Sequence, residues 1–142
     1  MVQLEIVQRK LAELDARVAR VRAHRKSSPD DLASDRDALD LVAFNLMLAV
    51  QAACDLATHL ISDEGWTAPA TAAESFQRLA EHQVIATKTA TALRRAVGFR
   101  NMVAHGYAGI DVASTYAAST AGLDDFDRFA REVAAWLVSR PG

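Results

Sequence analysis

The segment Leu39–Ile61, LDLVAFNLMLAVQAACDLATHLI, decides the fold. Leu39, Val42, Ala43, Leu46, Val50, Ala53, Ala57, Leu60 and Ile61 recur at steps of three and four, the spacing that lines one face of an α-helix. Phe44, Met47 and Leu48 widen the stripe, and a helix apolar over so much of its circumference belongs at the centre of a bundle. Upstream, Ser28 is placed as N-cap, Pro29 fits the first helical position and Asp30-Asp31 face the positive helix end; downstream, Gly65 and Pro69 stop the chain. These signals predict one long helix from about Asp30 to Ser62.

Working outward, Leu4, Val7, Leu11, Leu14, Val18 and Val21 form a narrow apolar seam on a first helix of about 22 residues, facing its own core or a second chain. Thr71 with Glu74 has the spacing of a capping box and opens a short helix that runs to about His82. A further helix spans about Thr87 to Ala104 and is closed by Gly106. After an irregular stretch around Gly109 and Asp111, a last helix carries Leu123, Phe126, Ala130, Val133 and Leu137 on one face. No segment alternates with period two for long enough to argue a sheet. The expected architecture is all-α: a single domain over residues 1–142, an antiparallel up-and-down bundle of four main helices plus a short helix.

Sixteen basic and 18 acidic side chains give a net charge of -2, so no global field draws nucleic acid and any RNA contact must rest on a local patch. The lone cysteine, Cys54, lies in an apolar helical stretch, excludes an internal disulfide and reads as a small buried hydrophobe. The N-terminal stretch lacks the basic start and apolar block of a signal peptide, and no apolar run reaches bilayer length, which leaves a cytoplasmic protein with no membrane partner as the expectation. Cys54 and the four histidines lack metal-ligand spacing on one helix face, and no glycine-rich phosphate loop is present. Neither metal nor cofactor is expected.

The chemistry concentrates on the helix after Thr87. With Leu93 at zero on a helical wheel, Ala96, Val97, Val103 and Ala104 fall within about 80°, and Arg100 lands inside that apolar arc at about 340°. A guanidinium there requires a partner or a wet interfacial cleft; the alternative is an internal salt bridge to an aspartate of another helix. On the adjoining flank Arg94, Gly98, Asn101 and His105 lie within about 60° of one another. His105 stands at the helix C-terminus, which favours an imidazolium, and Gly106 lets the backbone turn away; a surface histidine capping the last carbonyls is the alternative. Asp55 and His59, four apart, are expected to form an intrahelical ion pair, while His24 and His82 sit near helix ends in solvent.

The string Arg100-Asn101-Met102-Val103-Ala104-His105-Gly106-Tyr107 resembles the signature of the HepT subfamily of HEPN toxins. Val97-Gly98-Phe99 before it, Ile110-Asp111 after it, and His59-Leu60-Ile61 followed by Gly65 and Glu74-Ser75-Phe76 also resemble that subfamily in order and spacing. The resemblance implies a metal-independent endoribonuclease, a toxin that works as a homodimer with the Arg–His motifs of two chains in one composite cleft. It assigns Arg100, Asn101 and His105 to catalysis. Arg94 and Arg95 supply a positive patch for the RNA substrate. It further implies a minimal nucleotidyltransferase antitoxin as partner and Tyr107 as the acceptor of AMP groups. Arg100 and His105 lie about 140° apart on a straight helix, which suits a cleft completed by a second chain. The competing reading is a catalytically inert helical module that binds a nucleotidyltransferase or serves dimerisation.

Overall fold

The computed structural model describes residues 3–106 and 109–140, and the described residues contain seven helices and no strand. These are α1 (Leu4–His24), α2 (Pro29–Ser34), α3 (Arg36–Glu64), α4 (Ala72–Glu81), α5 (Thr87–His105), α6 (Val112–Ser119) and α7 (Ala121–Ser139). Four are long, as the periodicity predicts, and α3 occupies the centre, packed by α1, α2, α4, α5 and α6. The seam of α1 faces its own core: Val7, Leu14, Val18 and Val21 are buried against α3, although Leu4 at the tip stays exposed.

Two boundaries and one composition reading differ from the sequence expectation. The long helix is interrupted at Asp35, whose backbone (φ -117°, ψ 89°) is not helical. Asp35 instead caps α3, accepting from the Ala38 N–H at 3.0 Å and pairing with Lys26 at 3.0 Å. These contacts, led by the Ala38 hydrogen bond, hold its carboxyl below the usual aspartate range. Residues 112–119 form a helix of their own where an irregular stretch was expected, because Asp111 accepts from the Ser114 N–H at 3.1 Å and caps it. Finally, α3 is long and apolar enough to cross a bilayer by length and composition, contrary to the expectation of no such run. Its position inside the bundle, with Val42, Leu46, Ala49, Val50, Ala53, Leu56, Ala57 and Leu60 buried, accounts for that composition.

Other local signals act as the residue types dictate. Ser28 accepts from Asp31 N–H at 3.1 Å, with Pro29 at the start of α2. Gly65 takes the left-handed conformation (φ 71°) that ends α3, with Trp66 N–H reaching back to the Ile61 carbonyl at 3.0 Å. Thr71 accepts from Glu74 N–H at 3.1 Å, and the Glu74 carboxylate returns to Ala70 N–H at 2.7 Å. Under α7, Phe129 meets Phe76 of α4 edge to face, with centroids 5.7 Å apart, and ties the last helix to the core. A smaller cluster of Leu32, Ala38 and Leu39 with Ile110, Val112 and Tyr116 anchors the chain that follows α5.

Candidate active site

Helix α5 is fixed by Thr89, Ala90, Ala92, Leu93 and Val97, all buried, and its buried face stops there. Val103 is half-buried and Ala104 exposed, so the arc on which the sequence places Arg100 emerges from the core over the last two turns. Arg100 is accordingly half-buried rather than interior. Among the described residues it makes no ion pair. Its partners are neutral amides: one terminal nitrogen donates to Gln51 Oε1 on α3 at 3.1 Å, while Nε and the other terminal nitrogen donate to Asn101 Oδ1 at 3.3 and 2.9 Å. The salt bridge to an aspartate, the alternative left open by the sequence, is not made.

A guanidinium has five N–H donors. Three are engaged, which leaves one on each terminal nitrogen for an incoming anion, and amide acceptors leave the positive charge uncompensated. Asn101 therefore turns its carbonyl oxygen to Arg100 and keeps its amide donors for other groups.

His105 is the last residue of α5, exposed, with no side-chain hydrogen bond among the described residues. Gly106 follows with φ -82° and ψ 92°, and a Cβ there would sit 2.4 Å from the Met102 carbonyl oxygen. Only glycine lets the chain leave the helix along this path. Arg94 and Arg95 are exposed one to two turns before Arg100, without ion pairs among the described residues; Arg95 borders a largely apolar cavity of about 610 Å³ between α5, α6 and α7. Gly98 is exposed with open space above it. Tyr107 lies outside the described residues. The other tyrosine, Tyr116, is half-buried and its hydroxyl donates to the Ser27 carbonyl at 3.1 Å.

The structure thus joins Arg100 to Asn101, keeps His105 and the two arginines on the same helix without a side-chain hydrogen bond or ion pair to them among the described residues, and adds a residue the sequence did not point to, Gln51. One sequence signal marks it: Gln51 interrupts the apolar run of α3 four residues before Asp55. Asp55 does not pair with His59 as expected. It accepts from Gln51 Nε2 at 3.1 Å, while His59 Nε2 lies 3.0 Å from Asp63, one turn further on. Burial pushes the Cys54 thiol up to about 11 against the opposing pull of Arg100, which makes it a poor nucleophile. His82 is exposed as expected, its ring stacked on Trp66 at 3.9 Å.

A family model described as Ribonuclease HepT-like matches residues 5–133. An mRNA nuclease HepT of Shewanella oneidensis is 28% identical over 90 residues, covering 63% of this chain and 68% of the relative. A tRNA nuclease HepT of Aphanizomenon flos-aquae is 27% identical over 94 residues, covering 66% of this chain and 64% of the relative. The fold is similar to that of a tri-AMPylated Shewanella oneidensis HEPN toxin solved in complex with MNT antitoxin, with a TM-score of 0.84, 24% identity, and coverage of 92% of this chain and 97% of that one. By the match over residues 5–133, the chain belongs to the HepT-like ribonuclease family.

Proposed function

We propose that this chain is the toxin of a HEPN/MNT pair, a cytoplasmic endoribonuclease that cleaves RNA through the substrate's own 2′-OH. The observation that carries the reading is the state of Arg100: held in place by Gln51 and Asn101, yet not neutralised by any acid among the described residues. A structural arginine is expected to have a carboxylate partner, whereas an arginine meant for phosphate needs free donors and its full charge.

In this reading the two open N–H groups of Arg100 grip the scissile phosphate and offset the charge that grows on its oxygens. The 2′-oxygen attacks phosphorus as its proton passes to an imidazole. The bond to the 5′-oxygen breaks, that oxygen receives a proton from an imidazolium, and a 2′,3′-cyclic phosphate remains. The nucleophile comes from the substrate, so no metal is required to generate it. His105 supplies the imidazole, and in a homodimer the two His105 rings divide the base and acid roles. Asn101 adds its free amide donors to phosphate, and Arg94 and Arg95 draw the strand along α5.

Dimer formation is supported by α3. Phe44 is 52% exposed, with Leu41, Met47 and Leu48 half-buried beside it, and Phe44, Leu48 and Gln51 share one face. An apolar surface leading to the Arg100 partner suits a second copy that completes the cleft.

Tyr107, two residues after His105, is the proposed site of neutralisation. Its phenol oxygen attacks the α-phosphate of ATP on the partner nucleotidyltransferase, pyrophosphate leaves, and the proton goes to solvent. The resulting phosphodiester adds negative charge two residues after His105 in the chain and would repel RNA. Tyr116 suits this role less, because its hydroxyl is engaged with Ser27. Co-expression with a nucleotidyltransferase antitoxin of the MNT type is expected to raise the mass by one or more AMP units in the parent and not in Tyr107→Phe. An unmodified toxin in a stable complex would instead mean inhibition by steric cover.

A further inference from the structure

The hydrogen bonds around Arg100 extend beyond the motif to two residues of a second helix, Gln51 and Asp55. Gln51 Oε1 accepts from the guanidinium at 3.1 Å, and its Nε2 donates to Asp55 Oδ1 at 3.1 Å. A carboxylate accepts only, so Asp55 dictates which end of the Gln51 amide faces it and thereby turns the carbonyl oxygen to Arg100. We propose that Gln51 is a positioning residue: oriented by Asp55, it clamps the Arg100 guanidinium from across the α3–α5 junction through a neutral oxygen, aligning it for an RNA phosphate without consuming its charge.

The choice of residue type carries the argument. A glutamate at 51 would have the same length and reach, but it would form an ion pair with Arg100 and compete with phosphate for it. Asp55 holds the negative charge one residue further out, where it orders the amide and leaves the guanidinium to the substrate. Asn101 alone grips Arg100 from its own helix, along the Nε side. Gln51 adds the only hydrogen bond among the described residues that ties the guanidinium to another helix. This inference rests on the ribonuclease reading, since it names what Arg100 is aligned for.

Two substitutions at this position separate alignment from charge. Gln51→Met keeps the bulk and the charge of Arg100 but removes the clamp; kcat on an RNA oligonucleotide is expected to fall about tenfold with KM little changed. Gln51→Glu keeps a clamp and cancels the charge, so KM is expected to rise about tenfold, as is the Kd for the same oligonucleotide with non-cleavable 2′-O-methyl sugars. A residue that only supports the fold would show one common defect in both variants, following the melting temperature. The Arg100 terminal guanidinium N–H signals in a nitrogen-15 spectrum, assigned with Arg100→Lys, should broaden or exchange faster in Gln51→Met. Parent-like kinetics in both variants with an unchanged Arg100 signal would overturn the inference. If the parent protein fails to cleave RNA, the ribonuclease reading falls separately. The 2′-O-methyl binding then decides the role of Gln51: loss in Gln51→Glu supports it and no change overturns it.

Discussion

Replacing Gly106 with alanine adds one methyl group at the point where the chain leaves α5, directly after His105. The added Cβ would lie 2.4 Å from the Met102 carbonyl oxygen, against an ordinary C···O separation of about 3.3 Å. The backbone must therefore give by nearly 1 Å, and because the clash is with main chain no rotamer relieves it. Overpacking of this kind costs about 1–3 kcal/mol when the structure resists. Here the helix end can loosen locally, so global stability is expected to fall by only about 1 kcal/mol. His105 moves with the loosened turn, and a misplacement of about 1 Å in a reacting group can cost about 10²-fold in rate. Urea unfolding and single-turnover RNA cleavage on the same preparation read the two effects. Gly98→Ala is the control: its Cβ meets nothing within 4 Å, and alanine in an exposed helical position should raise stability by about 0.5–1 kcal/mol. A Gly106→Ala protein with parent stability and rate would refute the reasoning.

Phe129→Ala removes a fully buried ring and its edge contact with Phe76; urea unfolding should show a loss of about 3–5 kcal/mol, enough to threaten folding. Cys54, buried and with its thiol pushed up to about 11, should resist a thiol reagent at pH 8 in the native protein and react on unfolding; rapid native reaction would mean that the α3–α5 junction opens. RNA cleavage should survive EDTA, and complete inhibition reversed by added metal would sink the proposed chemistry.

The bundle was legible because helical periodicity is written in each long helix, and because Ser28, Gly65 and Thr71 act at its ends through local geometry. The break at Asp35 was not, since neither glycine nor proline marks it; the cap at Ala38 and the Lys26 pair decide it. Helix α6 escaped for a related reason: Asp111 is a cap signal, but residues 112–119 carry only Val112 and Tyr116 as large apolar groups and lack a stripe. For the candidate site, one helix carries Arg100, Asn101 and His105, so a wheel and a family resemblance could bring them together as candidates. Periodicity could say that Arg100 was anomalous but not who its partner was. Gln51 comes from a contact across 49 positions, and Asp55 has two neighbours at the same intrahelical spacing, Gln51 before it and His59 after it, between which periodicity cannot choose.

The most direct test of the central claim is single-turnover cleavage of one RNA oligonucleotide by the parent, Arg100→Ala and His105→Ala proteins, with the product ends identified by mass. The account predicts 2′,3′-cyclic phosphate ends from the parent, a rate at least about 10²-fold lower in each variant, and melting temperatures close to the parent value. Parent-like cleavage by both variants, or products without the cyclic phosphate, would contradict it.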